Sequence, residues 1–368
     1  MKKSRLSIVI AVIGSCLFFL TNLVAITVQA KEGQQSSLSQ ADNRIQPVND
    51  AGMGSLPVIP ETTKVLSKET TQHLTSISTD GNVYTFSETT VELESISVGD
   101  VIVSEKATLA PYGFLRKVTS ITLNNEQIIL ETVQATLEEA IESAHISIHQ
   151  SLTPNNIQQT SQLAGISLSQ SQGELFSYML TDVVLYDADG NAETSSDQIR
   201  ANGFIELEIE YEFDLDIDSY TLESLTFLVG ITETAELVIQ SENVTLPNVN
   251  VEIPIGQHTF APIPVGIPGI VVIPQLIISV GVDGSIQANI SAGVTQQLTV
   301  QGGLTYDDLG WHSISNFSNS FSTIPPQITS KKFEVQGNIE TTLTLLINGV
   351  AGPLFNVKPY LLFSLPDT

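Results

Sequence analysis

From Phe204 to Asp218 the chain alternates without a break. Ile205, Leu207, Ile209, Tyr211, Phe213, Leu215 and Ile217 take the odd positions, and Glu206, Glu208, Glu210, Glu212, Asp214, Asp216 and Asp218 take the even ones. A period of two puts each set on its own face of an extended strand, which no helix can do. At about 3.3 Å per residue this strand is roughly 50 Å long. Phe333 to Asn348 is a second such run, with Phe333, Val335, Ile339, Leu343, Leu345 and Ile347 on one face. The same period persists from about residue 174 to the C-terminus. One apolar and one wet face, on strands of this length, predict a large antiparallel β-sandwich or an elongated barrel.

Upstream, the strands are shorter and turn signals separate them. His73–Thr79 and Val83–Phe86 flank Asp80-Gly81-Asn82 and read as a hairpin. Ile96–Val103 reads as a turn entering a strand, and Gly113–Leu123 and Gln127–Gln134 as a second hairpin about Asn124-Asn125. Thr136 is an N-cap, with Glu138 and Glu139 in the favourable first turn of a short helix. The chain therefore reads as all-β. A small N-terminal β-domain (63–135) is followed by a short helix and connector (136–173) and a larger antiparallel β-domain (174–368). Residues 31–62, rich in Gln, Ser, Asn, Asp, Gly and Pro and without periodicity, read as a disordered spacer.

The first thirty residues have the layout of a secretory signal peptide. Lys2, Lys3 and Arg5 precede an apolar run from Leu6 to about Val28, and Val28-Gln29-Ala30 supplies small residues for cleavage before Lys31. An uncleaved anchor is the alternative, since the run is long enough to span a bilayer. Cleavage would remove Cys16, the only cysteine. The next most apolar segment, Phe260 to Val282, carries Pro262, Pro264, Pro268 and Pro274, which break a helix. No membrane span is therefore expected after cleavage.

Charge narrows the partners. The chain carries a formal net charge of -26, and between Lys117 and Lys331 its only Lys or Arg is Arg200. Phosphate contacts need Lys or Arg, so nucleic acid is excluded as a partner and anionic lipid is disfavoured. No Gly-x-Ser-x-Gly elbow, His-Glu-x-x-His, P-loop or dinucleotide fingerprint is present.

Two segments carry a resemblance. Ala110-Pro111-Tyr112-Gly113-Phe114-Leu115-Arg116-Lys117-Val118-Thr119-Ser120-Ile121 and Asn348-Gly349-Val350-Ala351-Gly352-Pro353 resemble those of a group of large exported bacterial surface proteins. The turn Val280-Gly281-Val282-Asp283-Gly284 resembles the same group, for which no activity is established. The resemblance implies a bacterial, cell-surface or secreted setting and supplies no catalytic residue.

The candidate chemistry is sparse. Carboxylates on one face of the acidic strand sit about 7 Å apart and repel by about 0.6 kcal/mol per pair in water. A solvated face is therefore tolerable, and cation binding by Asp214, Asp216 and Asp218 is the alternative. Asp187-Ala188-Asp189-Gly190-Asn191 offers oxygens from Asp187, Asp189 and Asn191 at alternate positions, like the start of a calcium loop. The EF-hand pattern, however, needs Gly at position six and Glu at twelve, where this chain has Gly190 fourth and Gln198 twelfth. A hairpin turn explains the segment as well. His145 and His149 can share a face but lack an evident third zinc ligand. Tyr306 and Trp311 flank a turn where aromatics cap a sheet or stack on a sugar. Leu365-Pro366-Asp367-Thr368 lacks the Gly, apolar tail and basic end that a sortase signal requires. The expectation is a non-catalytic secreted or cell-surface structural or binding protein. The alternatives are a carrier of apolar ligands, with Phe260–Ile273 lining a cavity, and a carboxylate-based hydrolase. No cofactor is expected, with calcium as the alternative.

Overall fold

The computed structural model describes residues 4–14 and 56–365, apart from 125–126, 170–174, 192–193, 195–196, 243, 288–289, 329–332 and 350. The cleavage site and most of the spacer lie outside the described residues. The described chain opens with β1 (Ser4–Gly14). The small domain follows as β2 (Thr63–Val65), α1 (Lys68–Gln72), β3 (Leu74–Ile77), β4 (Val83–Phe86) and α2 (Val91–Glu94), then β5 (Val101–Ser104), β6 (Phe114–Asn124) and β7 (Gln127–Gln134). These strands form one sheet in the order β2-β5-β6-β7-β4-β3, antiparallel except for the β2–β5 pair. Both hairpins pair the strands expected, although residue 125 of the second turn lies outside the described residues. Tyr84 and Phe114 meet at 4.9 Å between ring centroids, over a core that includes Phe86, Ile102, Ile128 and Leu130.

The helix after the small domain, α3 (Leu137–Ala140), is a single turn. Its capping box is complete: Thr136 Oγ1 accepts from the Glu139 N–H at 3.3 Å, and Glu139 Oε2 accepts from the Thr136 N–H at 3.1 Å. The segment read as a connector instead supplies β8 (Ala144–Leu152), β9 (Ile157–Gln162) and β10 (Ile166–Ser169) to the large domain. Most β9 side chains are exposed, so no alternation marked it as a strand.

The long strands then follow in sequence. They are β11 (Phe176–Asp187), β12 (Gln198–Asp218), β13 (Thr221–Ser241), β14 (Thr245–Phe260), the two-residue β15 (Ile263–Pro264) and β16 (Val271–Gln287). β17 (Ile290–Asp307), β18 (Gly310–Ile328), β19 (Phe333–Ile347) and β20 (Ala351–Leu365) complete the chain. They make a sandwich of two antiparallel sheets, with no closed barrel. One sheet runs β1-β20-β19-β16-β14-β9, with β15 beside β16. The other runs β10-β11-β12-β13-β17-β18, with β8 beside β12 beyond the end of β11. Phe176 meets Phe260 edge-on across the sandwich at 5.8 Å, and a single apolar cluster joins both inner faces. β12 and β13 form a hairpin with Ser219 and Tyr220 both in the left-handed region (φ 50° and 63°), which matches the twist of a two-residue turn.

The domains share a core. Along β5, Ile102 packs inside the small domain, whereas Val101 and Val103 point into the sandwich cluster with Leu115 and Ile141. The run Phe260–Ile273, read as a possible cavity lining, packs into this junction, with Val265, Ile267, Ile270 and Val272 in the shared cluster.

Asn348 holds the junction together. It is buried in the left-handed region (φ 45°). Its Oδ1 accepts from the Val271 N–H at 2.9 Å. Its Nδ2 donates to the carbonyls of Gly269 at 2.7 Å and Ser104 at 3.0 Å, and more weakly to Phe114 at 3.4 Å. One amide thus joins both domains. Tyr112-Gly113 and Asn348-Gly349 meet at this point. A Cβ on Gly113 would lie 2.4 Å from the Ser104 carbonyl, and one on Gly349 would lie 2.8 Å from Tyr112 Cβ. Tyr112 extends the contact by accepting from Gln275 Nε2 at 2.6 Å.

Asn348→Ala leaves one buried N–H and the carbonyls around it without this partner and removes a residue suited to the left-handed region. It is expected to lower stability by about 2–4 kcal/mol, measured by urea unfolding.

Candidate functional site

The outer face of the β12 sheet unites two groups that lie far apart in sequence. β8 pairs antiparallel with β12, setting His145 opposite Asp216, Ser147 opposite Asp214 and His149 opposite Glu212. Directly opposed residues project to the same face, so both histidines stand beside the acidic stripe. His145 Nδ1 lies 3.8 Å from an Asp216 carboxylate oxygen. On the other flank β13 contributes Thr234, Thr232, Gly230, Leu228, Thr226 and Ser224. Arg200, the one nearby guanidinium, turns to Gln198 Oε1 at 2.7 and 2.9 Å.

The apolar half of the pattern behaves as expected, with Ile205 to Ile217 only 0–2 % exposed. The acids share the opposite face, but only Glu208, Glu210 and Asp218 are well exposed. Glu206, Glu212, Asp214 and Asp216 are half-buried because side chains of the flanking strands stand beside them. Burial, and then the neighbouring Asp214, hold the Glu212 carboxyl above its usual range against the opposing pull of His149. Asp214, Asp216 and Asp218 do not converge on a shared point, because alternate residues of a strand stay about 7 Å apart.

The turn between β11 and β12 does gather carboxylates. Asp187, Asp189 and Asp197 each present an oxygen within 4.8 Å of the others. Asp197, which the sequence pattern missed, returns to the cluster because the hairpin closes there. The turn largely satisfies itself. Asp187 accepts from the Gly190 N–H at 3.0 Å and from Gln198 Nε2 at 2.9 Å, and Asp189 accepts from the Asn191 N–H at 2.8 Å. Gln198 thus places an amide donor where an EF-hand has a chelating Glu. Asp197 Oδ1, like Asp214 Oδ1 on the acidic stripe, is buried without a hydrogen-bond partner among the described residues, and burial followed by Asp189 and Asp187 raises the Asp197 pKa.

At the β17–β18 tip the Tyr306 and Trp311 rings pack at 5.0 Å, and Asp307 accepts from the Leu309 N–H at 2.8 Å. This arrangement caps the sheet end.

A carboxyl also lies inside the sandwich. Glu233 of β13 is 1 % exposed. It accepts from Gln296 Nε2 of β17 and, across the inter-sheet space, from Thr341 Oγ1 of β19 at 3.2 Å. Burial raises its pKa to about 7. Its parity with Phe227, Val229, Ile231 and Leu237 was the signal that could have placed it inside. Elsewhere between the sheets, His258 packs against Tyr178 at 5.8 Å between ring centroids, and its Nδ1 is 2.9 Å from Thr160 Oγ1. Burial lowers the His258 pKa to about 4.

No family model matches the chain, and no curated protein and no solved structure does. The functional reading therefore rests on geometry and sequence.

Two outcomes follow. Glu233 has its folded pKa raised from about 4.3 to about 7. Its contribution is full below pH 4.3 and is lost as pH rises to 7. His258 has its folded pKa lowered from about 6.5 to about 4. Its contribution is full above pH 6.5 and is lost as pH falls to 4. The two oppose each other in one window. Relative to the parent, urea unfolding across pH should show Glu233→Gln gaining stability from pH 4.3 to 7, and His258→Gln losing it from pH 4 to 6.5. Separately, Asp197→Asn removes one of three crowded charges. It should raise the melting temperature at low salt in the presence of chelator, with the gain shrinking as salt is added.

Proposed function

We propose that the protein is a non-catalytic, extracytoplasmic structural or binding protein of a bacterial cell surface. The observation that supports it best is the outer face of the β12 sheet. That face is broad and wet, with an acidic stripe flanked by Ser, Thr and His, and the only Lys or Arg on its strands, Arg200, is turned to Gln198. It is open to a macromolecule but converges on no reaction centre. An inverting or retaining glycosidase sets two carboxyls about 5–9.5 Å apart about a substrate. The β12 carboxylates, about 7 Å apart, meet that spacing repeatedly along one strand, and nothing among the described residues selects a pair. The carrier alternative loses its motive because Phe260–Ile273 packs against the small domain. Among cofactors, calcium at the Asp187–Asp189–Asp197 turn remains compatible with this reading, favoured by the unpartnered Asp197 oxygen.

Export carries the setting. Among the described residues, no helix is long and apolar enough to cross a membrane. Removal of residues 1–30 would take β1 with it and leave β20 as an edge strand. Expression in a bacterial host followed by fractionation and N-terminal sequencing tests the reading. Lys31 is the expected first residue, in an extracytoplasmic fraction. A full-length chain confined to the cytoplasm would overturn it, and a membrane-bound species retaining Leu6 to Val28 would establish the anchored form.

A further inference from the structure

Proteins manage exposed sheet edges by keeping them short, charging them or covering them. Two of the sandwich's edges, β9 and β10, are six and four residues long. The β18 edge is different. It spans nineteen residues and hydrogen-bonds to β17 along one side only. From Ser313 to Ile324 it carries no Asp, Glu, Lys, Arg or Pro. The turn at Asp307 to Gly310 bounds this stretch at one end, and Pro325-Pro326, which cannot donate, bounds it at the other.

The strand is also sparsely covered on both faces. Ser315 and Asn319 pair with Gly302 and with the buried Leu298, so they face the interior side, yet both are exposed. Asn316, Ser318 and Ser320 are exposed on the opposite face. Between Ser315 and Asn319, Phe317, opposite the buried Val300, is half-buried and packs against the sandwich core, so the interior side of β18 is covered only in part. A strand with one free edge and sparsely covered faces is an unfinished layer.

We propose that β18 is a homotypic pairing edge, on which a second copy of this chain adds its own β18 antiparallel about a two-fold axis near Ser318–Asn319. Charge selects the occupant. The chain has a net charge of -26, so two copies repel wherever carboxylates face each other. The β17–β18 hairpin has no Asp, Glu, Lys or Arg from Ile290 to Tyr306 or from Trp311 to Ile328. Two acidic copies can approach there without burying a charge. A basic peptide would instead find its attraction on the β12 stripe, and the β18 strip offers it nothing. Antiparallel self-pairing is symmetric, so the segment bounded by the turn and the prolines opposes its own mirror sequence along its full length. About twelve residues would pair over roughly 40 Å, extending the sheet from one copy into the next. This association depends neither on export nor on the acidic face.

Sedimentation velocity on the full chain across the micromolar range tests the proposal. A concentration-dependent dimer is expected. The double substitution Ser318→Asp and Ser320→Asp brings four charges to the symmetric contact and should weaken association by about tenfold or more while leaving the melting temperature near that of the parent. A second measurement does not depend on that variant folding well. In a Cys16→Ser background, Ser318→Cys near the axis should form an intermolecular disulfide in air, and His312→Cys near the strand end should not. A parent that stays monomeric overturns the proposal. So does a dimer that survives the Asp pair, or one that crosslinks through residue 312 and not through 318.

Discussion

The junction at Asn348 is the constraint on which the arrangement of the two domains depends. A carboxamide is the side chain that can donate and accept at one point, and this one does both, serving the Val271 N–H and carbonyls from each domain. Aspartate would set a charge against carbonyl oxygens, and a smaller residue would leave polar groups buried without compensation. The close approach this requires explains the glycines beside it, since a Cβ at Gly113 would overlap the Ser104 carbonyl. The apolar junction then follows. With the backbones held this close, Val101 and Val103 reach past their own sheet into the sandwich core, and the Pro- and Gly-rich loop before β16 has a surface to fill. The small domain is in this sense a lid on the sandwich more than a separate bead on a string.

Much of this was legible in the sequence, and the limits have physical causes. β12 was visible almost residue by residue because a strict period of two, with acids on one side, admits no other secondary structure. Both small-domain hairpins and the Thr136 cap were visible because turn and cap chemistry is local. Sheet order was not. β8 pairs with β12 and β9 with β14 across intervals of some sixty to a hundred residues, and periodicity has no information about partners at that range. β9 escaped notice because an exposed edge strand need not alternate. The tight Ser219–Tyr220 turn escaped because it uses neither Asn-Gly nor Gly. Its left-handed Tyr220 is tied instead to Glu142, through a main-chain bond at 3.0 Å.

The candidate site divides along the same line. The acids and histidines were each readable, but their juxtaposition is a product of register. Had β8 slipped by one residue against β12, both histidines would have moved to the buried face. Asp197 and Glu233 were hidden for opposite reasons. Asp197 acts through a loop closure that no local pattern announces. Glu233 sits in a parity class that announces its burial plainly, and only the assumption that acids lie outside conceals it.

The order in which the strands lie along the chain has a consequence for how the molecule is made. β12 and β13 are neighbours and can zip together from their turn with little loop entropy to overcome. β8 and β9, by contrast, must wait for partners synthesised long after them, and Asn348 is made 244 residues after the Ser104 carbonyl it binds. A nascent chain can therefore complete the small domain early, while the face bearing Val101 and Val103 has nothing to dock against until the segment around Gly269 has been made. Folding dominated by such distant pairings is slow, and the waiting species exposes open strand edges and apolar surface. For this architecture the vulnerable period is the interval before closure, and holding the chain apart from its fellows in that interval is a requirement of its biogenesis.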